Sequence, residues 1–173
     1  MFSGVSKNEF APDETATRAM LVTVLSRLTN ADMESFMATN PENSFADVAE
    51  SDWFYTPVLW AAEHGIVTGV AADRFAPGEN VTREQMAVLL YRYAQREGIK
   101  LKDGEEKSFA DDADISEWAK DAVSALTKAG ILNGKDGNRF DAKGTATRAE
   151  LATMLVRFVE EYMTEADETE AAE

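Results

Sequence analysis

Cysteine is absent from this sequence, so it can build neither a disulfide framework nor a thiolate metal site. Histidine occurs once, at His64. One imidazole gives a Ser/His/Asp set or a histidine metal cluster little to draw on, and just ahead of Gly65 it is placed to meet a helix C-terminus favourably. No stretch has the roughly 20 consecutive apolar residues that a membrane-spanning helix needs, so no membrane insertion is expected. Met1-Phe2-Ser3-Gly4 is not a charged region followed by an apolar run, so it does not read as a secretory signal. The expectation is therefore that the chain either stays inside the cell or is a piece of something longer. Bases are scarce, 17 Lys and Arg against 32 Asp and Glu, for a net charge of −15. Nucleic-acid binding needs a basic field, so that class is set aside. A phosphate-loop glycine pattern and EF-hand spacing are both missing. Asp111, Asp112 and Asp114 form a small acidic cluster, read as a solvated turn, with Ca²⁺ binding as the alternative.

What is present is repetition. Thr17-Arg18-Ala19-Met20, Thr82-Arg83-Glu84-Gln85 and Thr147-Arg148-Ala149-Glu150 are spaced by 65 residues. Each opens an amphipathic run: Leu21, Val24, Leu25 and Leu28; then Met86, Leu89, Leu90 and Tyr93; then Leu151, Met154, Leu155 and Phe158. Apolar residues at i, i+3, i+4 and i+7 mark one face of a helix. At the same offset Gly4, Gly69 and Gly134 coincide, as do Phe10, Phe75 and Phe140. Trp53 matches Trp118, Gly65-Ile66 matches Gly130-Ile131, and Phe45-Ala46-Asp47 corresponds to Phe109-Ala110-Asp111 with one extra residue before the later tryptophan. Fixed long periods of this kind mark supersecondary units that share a core.

The third copy reads as a complete unit. Ser116 is expected to cap a helix carrying Trp118, Val123 and Leu126, which Gly130 ends in a left-handed conformation. Ile131-Leu132 is a short extended piece, Asp136-Gly137 a tight turn, and the second helix follows Thr147. In the second copy Thr56-Pro57 is expected to supply the cap and first-turn proline. The fold class is thus all-α, built from helix–loop–helix repeats with short extended turns. Residues 1–30 hold the second half of a first repeat, 31–44 a linker, 45–98 a second repeat, 99–108 a linker, 109–162 a third repeat and 163–173 an acidic tail. Everything equivalent to Phe45 through Thr68 would lie before residue 1, which suggests a fragment. Leu21 and Leu25 are then expected to lie bare and to invite self-association.

The motif itself divides into two parts. Thr with Glu or Gln three residues later is a capping box, in which each side chain satisfies an orphan backbone N–H. Thr147/Glu150 and Thr82/Gln85 fit it, and Thr17/Met20 keeps the Thr half. The arginine is not explained this way, because a cation at the first helical position opposes the macrodipole by roughly 0.3–1 kcal/mol. Two readings stay open: Arg18, Arg83 and Arg148 each pair with a carboxylate such as the Asp of Phe-Ala-Asp, or each presents a fork to an anionic ligand. Trp53 and Trp118 are likewise either packing residues or faces for a sugar ring. Gly69 and Gly134 serve backbone geometry or permit close approach of a ligand. Asp47 and Asp111 are too weakly specified to propose a glycosidase pair, although a carbohydrate hydrolase is the alternative class.

Phe-Ala-Asp, Trp, Gly-Ile, Gly, Arg-Phe and Thr-Arg-Ala-Glu, recurring in this order over residues 2–162, resemble the S-layer homology domain of bacterial cell-surface proteins. The resemblance implies three repeats in a pseudo-threefold helical bundle. Its grooves between neighbouring repeats would bind secondary cell-wall polysaccharide, commonly pyruvylated, without catalysis, metal or cofactor. It assigns ligand binding to Arg18, Arg83 and Arg148, to Trp53 and Trp118, to Gly69 and Gly134, and to Asp47 and Asp111. It places the chain at the cell surface. Met20 and Gln85 depart from the family's glutamate, and the first repeat has no counterpart of Trp53, so at most two complete grooves are expected. A protein-assembly module and the anchor of a larger surface enzyme are the alternative functions.

Overall fold

The structure is a computed structural model that describes residues 11–29 and 31–162. Six α-helices occur among them: α1 (Arg18–Leu28), α2 (Met33–Ala38), α3 (Tyr55–Glu63), α4 (Arg83–Arg96), α5 (Lys120–Lys128) and α6 (Arg148–Tyr162). Gly4, Phe10 and the acidic tail lie outside the described residues. The three long helices α1, α4 and α6 begin at the Thr-Arg motifs, and their caps follow the sequence. In α4 the Thr82 hydroxyl accepts from the Gln85 amide (3.3 Å) while Gln85 Oε1 accepts from the Thr82 amide (3.1 Å). Thr147 and Glu150 make the same reciprocal pair at 3.1 and 2.8 Å. Thr17 makes only its half, accepting from the Met20 amide at 3.3 Å.

These helix starts converge on one axis. The Ala16 amide donates to the Ala146 carbonyl (2.8 Å), Ala146 to Val81 (2.9 Å) and Val81 back to Ala16 (2.9 Å), closing a ring of three backbone hydrogen bonds. All three residues are fully buried. Isolated bridges pairing Thr15 with Thr147, Thr17 with Asn80 and Thr82 with Thr145 surround the ring with the same threefold relation. Each helix also borrows acceptors from another repeat's loop: the Arg18 amide donates to Glu79, Arg83 to Gly144 and Arg148 to Glu14, at 2.8–3.0 Å. Amides in a first helical turn have no partner within their own helix, so these inter-repeat carbonyls complete the caps. Apart from isolated bridges, the described residues contain no β-structure, consistent with the all-α expectation.

The short helices pack one repeat back. α3, from the second repeat, lies on α1 of the first, and α5, from the third, lies on α4 of the second. Both end where the glycines predict, with Gly65 at φ +68° and Gly130 at φ +76°. Their starts differ from expectation. α3 opens at Tyr55 without a side-chain cap, and α5 is led in by a 3-10 turn over Glu117–Ala119. Ser116 does not cap it. Its amide and hydroxyl donate to the buried Glu84 carboxylate of the preceding repeat instead, at 3.0 and 3.2 Å. The core joins the faces of all three long helices, with Trp60, Phe75, Phe140, Tyr93 and Phe158 among its largest buried side chains.

The expectation that Leu21 and Leu25 lie bare is corrected: both are fully buried in the core that the three long helices share, as are their counterparts Leu151 and Leu155, and α3 covers the outer face of α1. Among the described residues no helix lies along α6 in the same way, and there the equivalent face is open. Ser26 of α1 is 4% exposed, whereas Val156, 130 positions on, is 50% exposed. The segment 31–44 is also more than a spacer. Asp32 caps α2 by accepting from the amides of Glu34 and Ser35, and α2 packs on α3.

Candidate functional site

The arginines of the motif point into the molecule. Arg18, Arg83 and Arg148 are all at least 94% buried by their fractional exposures of 6%, 5% and 4%. Arg18 Nε donates to the Phe75 carbonyl (2.9 Å) and Nη2 to the Thr68 carbonyl (3.0 Å), and the guanidinium lies 4.7 Å from the Phe75 ring centre. Arg83 repeats this one unit on, with Phe140 O at 2.7 Å, Asn133 O at 3.0 Å and the Phe140 ring at 5.2 Å. Each of these two arginines thus latches its own repeat to the loop of the next. Burial lowers the pKa of Arg18 below its ordinary value, with Glu79 and Asp47 opposing the shift. Neither Asp47 nor Asp111 forms an ion pair with a motif arginine among the described residues.

The two aspartates hold the other side of the same loops. Asp47 accepts from the amides of Phe75 (2.8 Å) and Ala76 (2.7 Å), and Asp111 from Phe140 (2.6 Å) and Asp141 (2.8 Å). Ala76 and Asp141 have φ of +61° and +59°, a region costly for side-chain-bearing residues, so the carboxylates stabilise a strained turn. For both carboxyls burial pushes the pKa up. The amide donors outweigh it and leave each below the usual carboxylate range.

Gly69 and Gly134 close the loop from below. A Cβ at Gly69 would overlap the Ala71 carbonyl, sit 2.7 Å from the Arg74 carbonyl and meet the Phe45 ring at 2.9 Å. At Gly134 the nearest atoms are the Phe109 ring at 3.1 Å and the Arg139 carbonyl at 3.2 Å. Gly69→Ala is therefore expected to cost about 1–3 kcal/mol of stability, the scale of overpacking against backbone. Gly134→Ala should cost less, a ranking that urea unfolding of the two variants checks.

Where latch, glycine and long helix meet, the surface is grooved. The groove at Arg18 has a volume of about 530 Å³ and is lined by Thr68, Gly69, Gln85, Leu89, Arg92 and Trp118 among others. The tryptophan comes from the third repeat and the arginine from the first, so three repeats contribute to one groove. Trp118 is 57% exposed and Trp53 61%, which removes the reading of either as a core residue; Trp60 fills that role. The corresponding groove at Arg83 is about 260 Å³, lined by Gly134, Lys135, Met154, Glu150 and Arg157, and no tryptophan lines it. Trp53 instead lines a third depression with Thr23, Arg27, Met33, Met37 and Pro57.

At one position the grooves differ in charge. Arg83 Nη1 donates to Glu150 Oε1 at 2.9 Å, and Lys135 Nζ lies 3.2 Å from the same oxygen. Burial raises the Glu150 pKa, but the Thr147 amide, Arg83 and Lys135 bring it below its ordinary value. Arg18 faces Gln85 at the equivalent place, and Arg148 faces Met20, with Nη1 3.5 Å from its sulfur.

Sequence reading missed a second set of cations. Arg27, Arg92 and Arg157 also recur at the 65-residue period, and one lines each of the three depressions. The period alone would have found them. They fall on the polar side of the helices, where a charge needs no explanation.

The comparisons fit this geometry. The S-layer homology domain is matched at residues 44–87 and again at 108–152, the two stretches that run from a Phe-Ala-Asp turn to a Thr-Arg helix. The chain belongs to the S-layer homology domain family. An exoglucanase, XynX, of Acetivibrio thermocellus is 33% identical over 158 residues, covering 91% of this chain and 14% of that protein. An amylopullulanase of Thermoanaerobacterium thermosulfurigenes is 32% identical over 91% of this chain and 8% of its own length. The S-layer protein sap of Bacillus anthracis is 29% identical over 98% of this chain and 20% of its length. The chain thus spans a small part of the curated relatives it matches. What it shares with glucanase, pullulanase and S-layer protein alike is this segment, a cell-surface anchoring module of the S-layer homology type. No described helix is long and apolar enough to cross a membrane, so attachment by an intramembrane helix is not seen among the described residues.

Proposed function

We propose that this S-layer homology module anchors its parent protein by binding an acidic secondary cell-wall polysaccharide, of the pyruvylated class, in the groove between Arg18 and Trp118. The observation that carries this reading is the pairing of an exposed tryptophan with buried and half-buried arginines in one depression. An indole face with more than half its surface free is suited to the apolar face of a sugar ring. Arg92 at the rim and Arg18 beneath it supply the positive field for a carboxylate on that ring. Asp47, Asp111, Gly69 and Gly134 serve the site indirectly, by holding the loops that shape each groove. Arg83 and Trp53 line two neighbouring depressions, and several weak grooves on one polymer, with Arg148 the equivalent arginine of the third repeat, gain avidity through effective concentration. The module is read as noncatalytic, with any enzymatic activity residing elsewhere in a longer protein.

Self-association through a bare first repeat loses its support, because Leu21 and Leu25 are covered. Co-sedimentation with purified cell-wall sacculi, before and after chemical removal of the secondary polymer, tests the polysaccharide reading. Binding should be retained on intact wall and lost on stripped wall. Equal binding to both would overturn it.

A further inference from the structure

We infer that Asn133 is a site of spontaneous deamidation, in which the Gly134 amide nitrogen attacks the Asn133 side chain while Arg157 and Arg83 polarise the two carbonyls that react. The reaction needs no ligand and no partner, so it stands apart from wall binding.

Of the asparagines in the sequence, Asn133 alone is followed by glycine. Glycine has no Cβ to hold its amide nitrogen away from the preceding side chain, so Asn-Gly closes into a five-membered imide more readily than other pairs. Both residues lie exposed in the irregular loop between Leu132 and Lys135, open to hydroxide and water. The Gly134 amide donates no hydrogen bond among the described residues, so removing its proton breaks no structural contact. The Asn133 side chain is held. Its Oδ1 accepts from Arg157 Nη1 at 2.9 Å while Nδ2 donates to the Leu132 carbonyl at 3.2 Å, the orientation in which oxygen meets a donor and nitrogen an acceptor. The Asn133 main-chain carbonyl accepts from Arg83 Nη2 at 3.0 Å. Each of the two carbonyls that would form the imide therefore faces a guanidinium. In the second repeat Thr68 fills the same latch position, its carbonyl 3.0 Å from Arg18 Nη2, and it carries no amide to lose.

Hydroxide takes the Gly134 amide proton, and the nitrogen adds to Cγ of Asn133. Negative charge passes to Oδ1, where the Arg157 guanidinium stabilises it as an oxyanion-hole donor does. The Cγ–Nδ2 bond then breaks, and Nδ2 takes a proton from water and leaves as ammonia, closing the imide. Water adds to one of the two imide carbonyls and breaks its bond to the Gly134 nitrogen, which regains a proton. Opening at Cγ gives aspartate, its new carboxylate beside Arg157. Opening at the main-chain carbonyl gives isoaspartate, and the former carbonyl becomes a free carboxylate beside Arg83. The two products differ in what they do to the fold. Aspartate leaves the backbone as it was. Isoaspartate adds one carbon to the main chain just ahead of Gly134, where a Cβ would already stand 3.1 Å from the Phe109 ring and 3.2 Å from the Arg139 carbonyl. The lengthened loop cannot keep both that seat and the bond to Arg83, so the latch loosens.

The test incubates the whole chain in ¹⁸O-enriched water at neutral and at mildly alkaline pH and follows its tryptic peptides by mass spectrometry. Asn133 should exchange its amide nitrogen for heavy oxygen before any other asparagine does, and faster at the higher pH. Arg157→Gln should slow the reaction of the folded chain by about tenfold or more, because it removes the donor to the developing oxyanion. In urea, where the arginines have left the loop, the unaltered chain and this variant should react at equal rates, which separates the arginine's effect from that of the sequence alone. Asn133→Thr, which copies Thr68, should abolish the reaction and melt with the unaltered chain. Isoaspartyl chains, separated by chromatography, should melt about 2–6 °C lower, the scale of one lost carbonyl bond, and aspartyl chains should not. An Asn133 that keeps its nitrogen throughout would overturn the inference. So would a folded Arg157→Gln chain that reacts as fast as the unaltered one, or isoaspartyl chains that melt unchanged.

Discussion

Arg83→Met should lower the free energy of unfolding by about 3 kcal/mol. The substitution keeps a long apolar stem but removes the fork that holds the Phe140 and Asn133 carbonyls and neutralises Glu150. Carbonyls left without a partner cost roughly 1–3 kcal/mol each, and a buried ion pair stripped of one member costs roughly 3–5 kcal/mol. The lower figure is expected because the Glu150 side chain is 24% exposed and keeps Lys135 as a partner. For a chain of this size the loss corresponds to a fall of about 6–12 °C in the melting temperature, measurable by circular dichroism. Arg18→Met should cost less, since its removal frees two carbonyls but no carboxylate. A variant of Arg83 that melted with the unaltered chain would mean that the latch contributes little and that the residue is kept for the ligand alone. Loss of wall binding in an arginine variant is therefore interpretable only beside its melting curve.

Trp118→Ala should have the opposite profile, lowering affinity for intact sacculi by about 30-fold with unfolding changed by less than about 0.5 kcal/mol. Binding hot spots centred on tryptophan are commonly worth 2 kcal/mol or more, which is roughly that factor. The stability of the fold draws little on this side chain, which is 57% exposed and stands at the 3-10 lead into α5, not in the core. Substitutions at exposed positions without special contacts usually change stability by no more than about 0.5 kcal/mol. Trp53→Ala provides the comparison, because Trp53 lies in a different depression and packs edge-on against Phe54 at 5.2 Å. Binding that survives both tryptophan changes would exclude ring stacking as the basis of attachment.

Much of this architecture was legible because it is written in side-chain types at a fixed period. Helix faces, caps and glycine stops depend on local sequence, and α4, α6 and the ends of α3 and α5 fall where those signals place them. Of the two starts that differ, the one at Glu117 is set by a partner distant in sequence, Glu84 holding Ser116, and the one at Tyr55 follows a turn in which the Tyr55 amide donates to the Asp52 carbonyl. The motif marks the arginine as a residue that helix stability does not require, and it points to carboxylates and ligands as the partners. They are largely backbone carbonyls, which carry no residue identity and so leave no trace in a sequence. The burial of Leu21 was misjudged for a related reason. Its cover comes from the core that all three long helices share, as the equal burial of Leu151 on α6 shows, and nothing local announces that packing. The exposed tryptophans could not be distinguished from Trp60 by type, only by which side of a helix start faces solvent.

The ring formed by Ala16, Val81 and Ala146 fixes a number. In an open solenoid each repeat offers the next an unused edge, and length is free to vary. Here each of the three inner residues gives its amide to one neighbour and its carbonyl to the other, so no donor or acceptor is left over at the axis. A two-membered version would strand one amide and one carbonyl in a fully buried place, and a fourth member would find no vacancy. The module counts to three and stops, and it does so with groups that every amino acid but proline possesses.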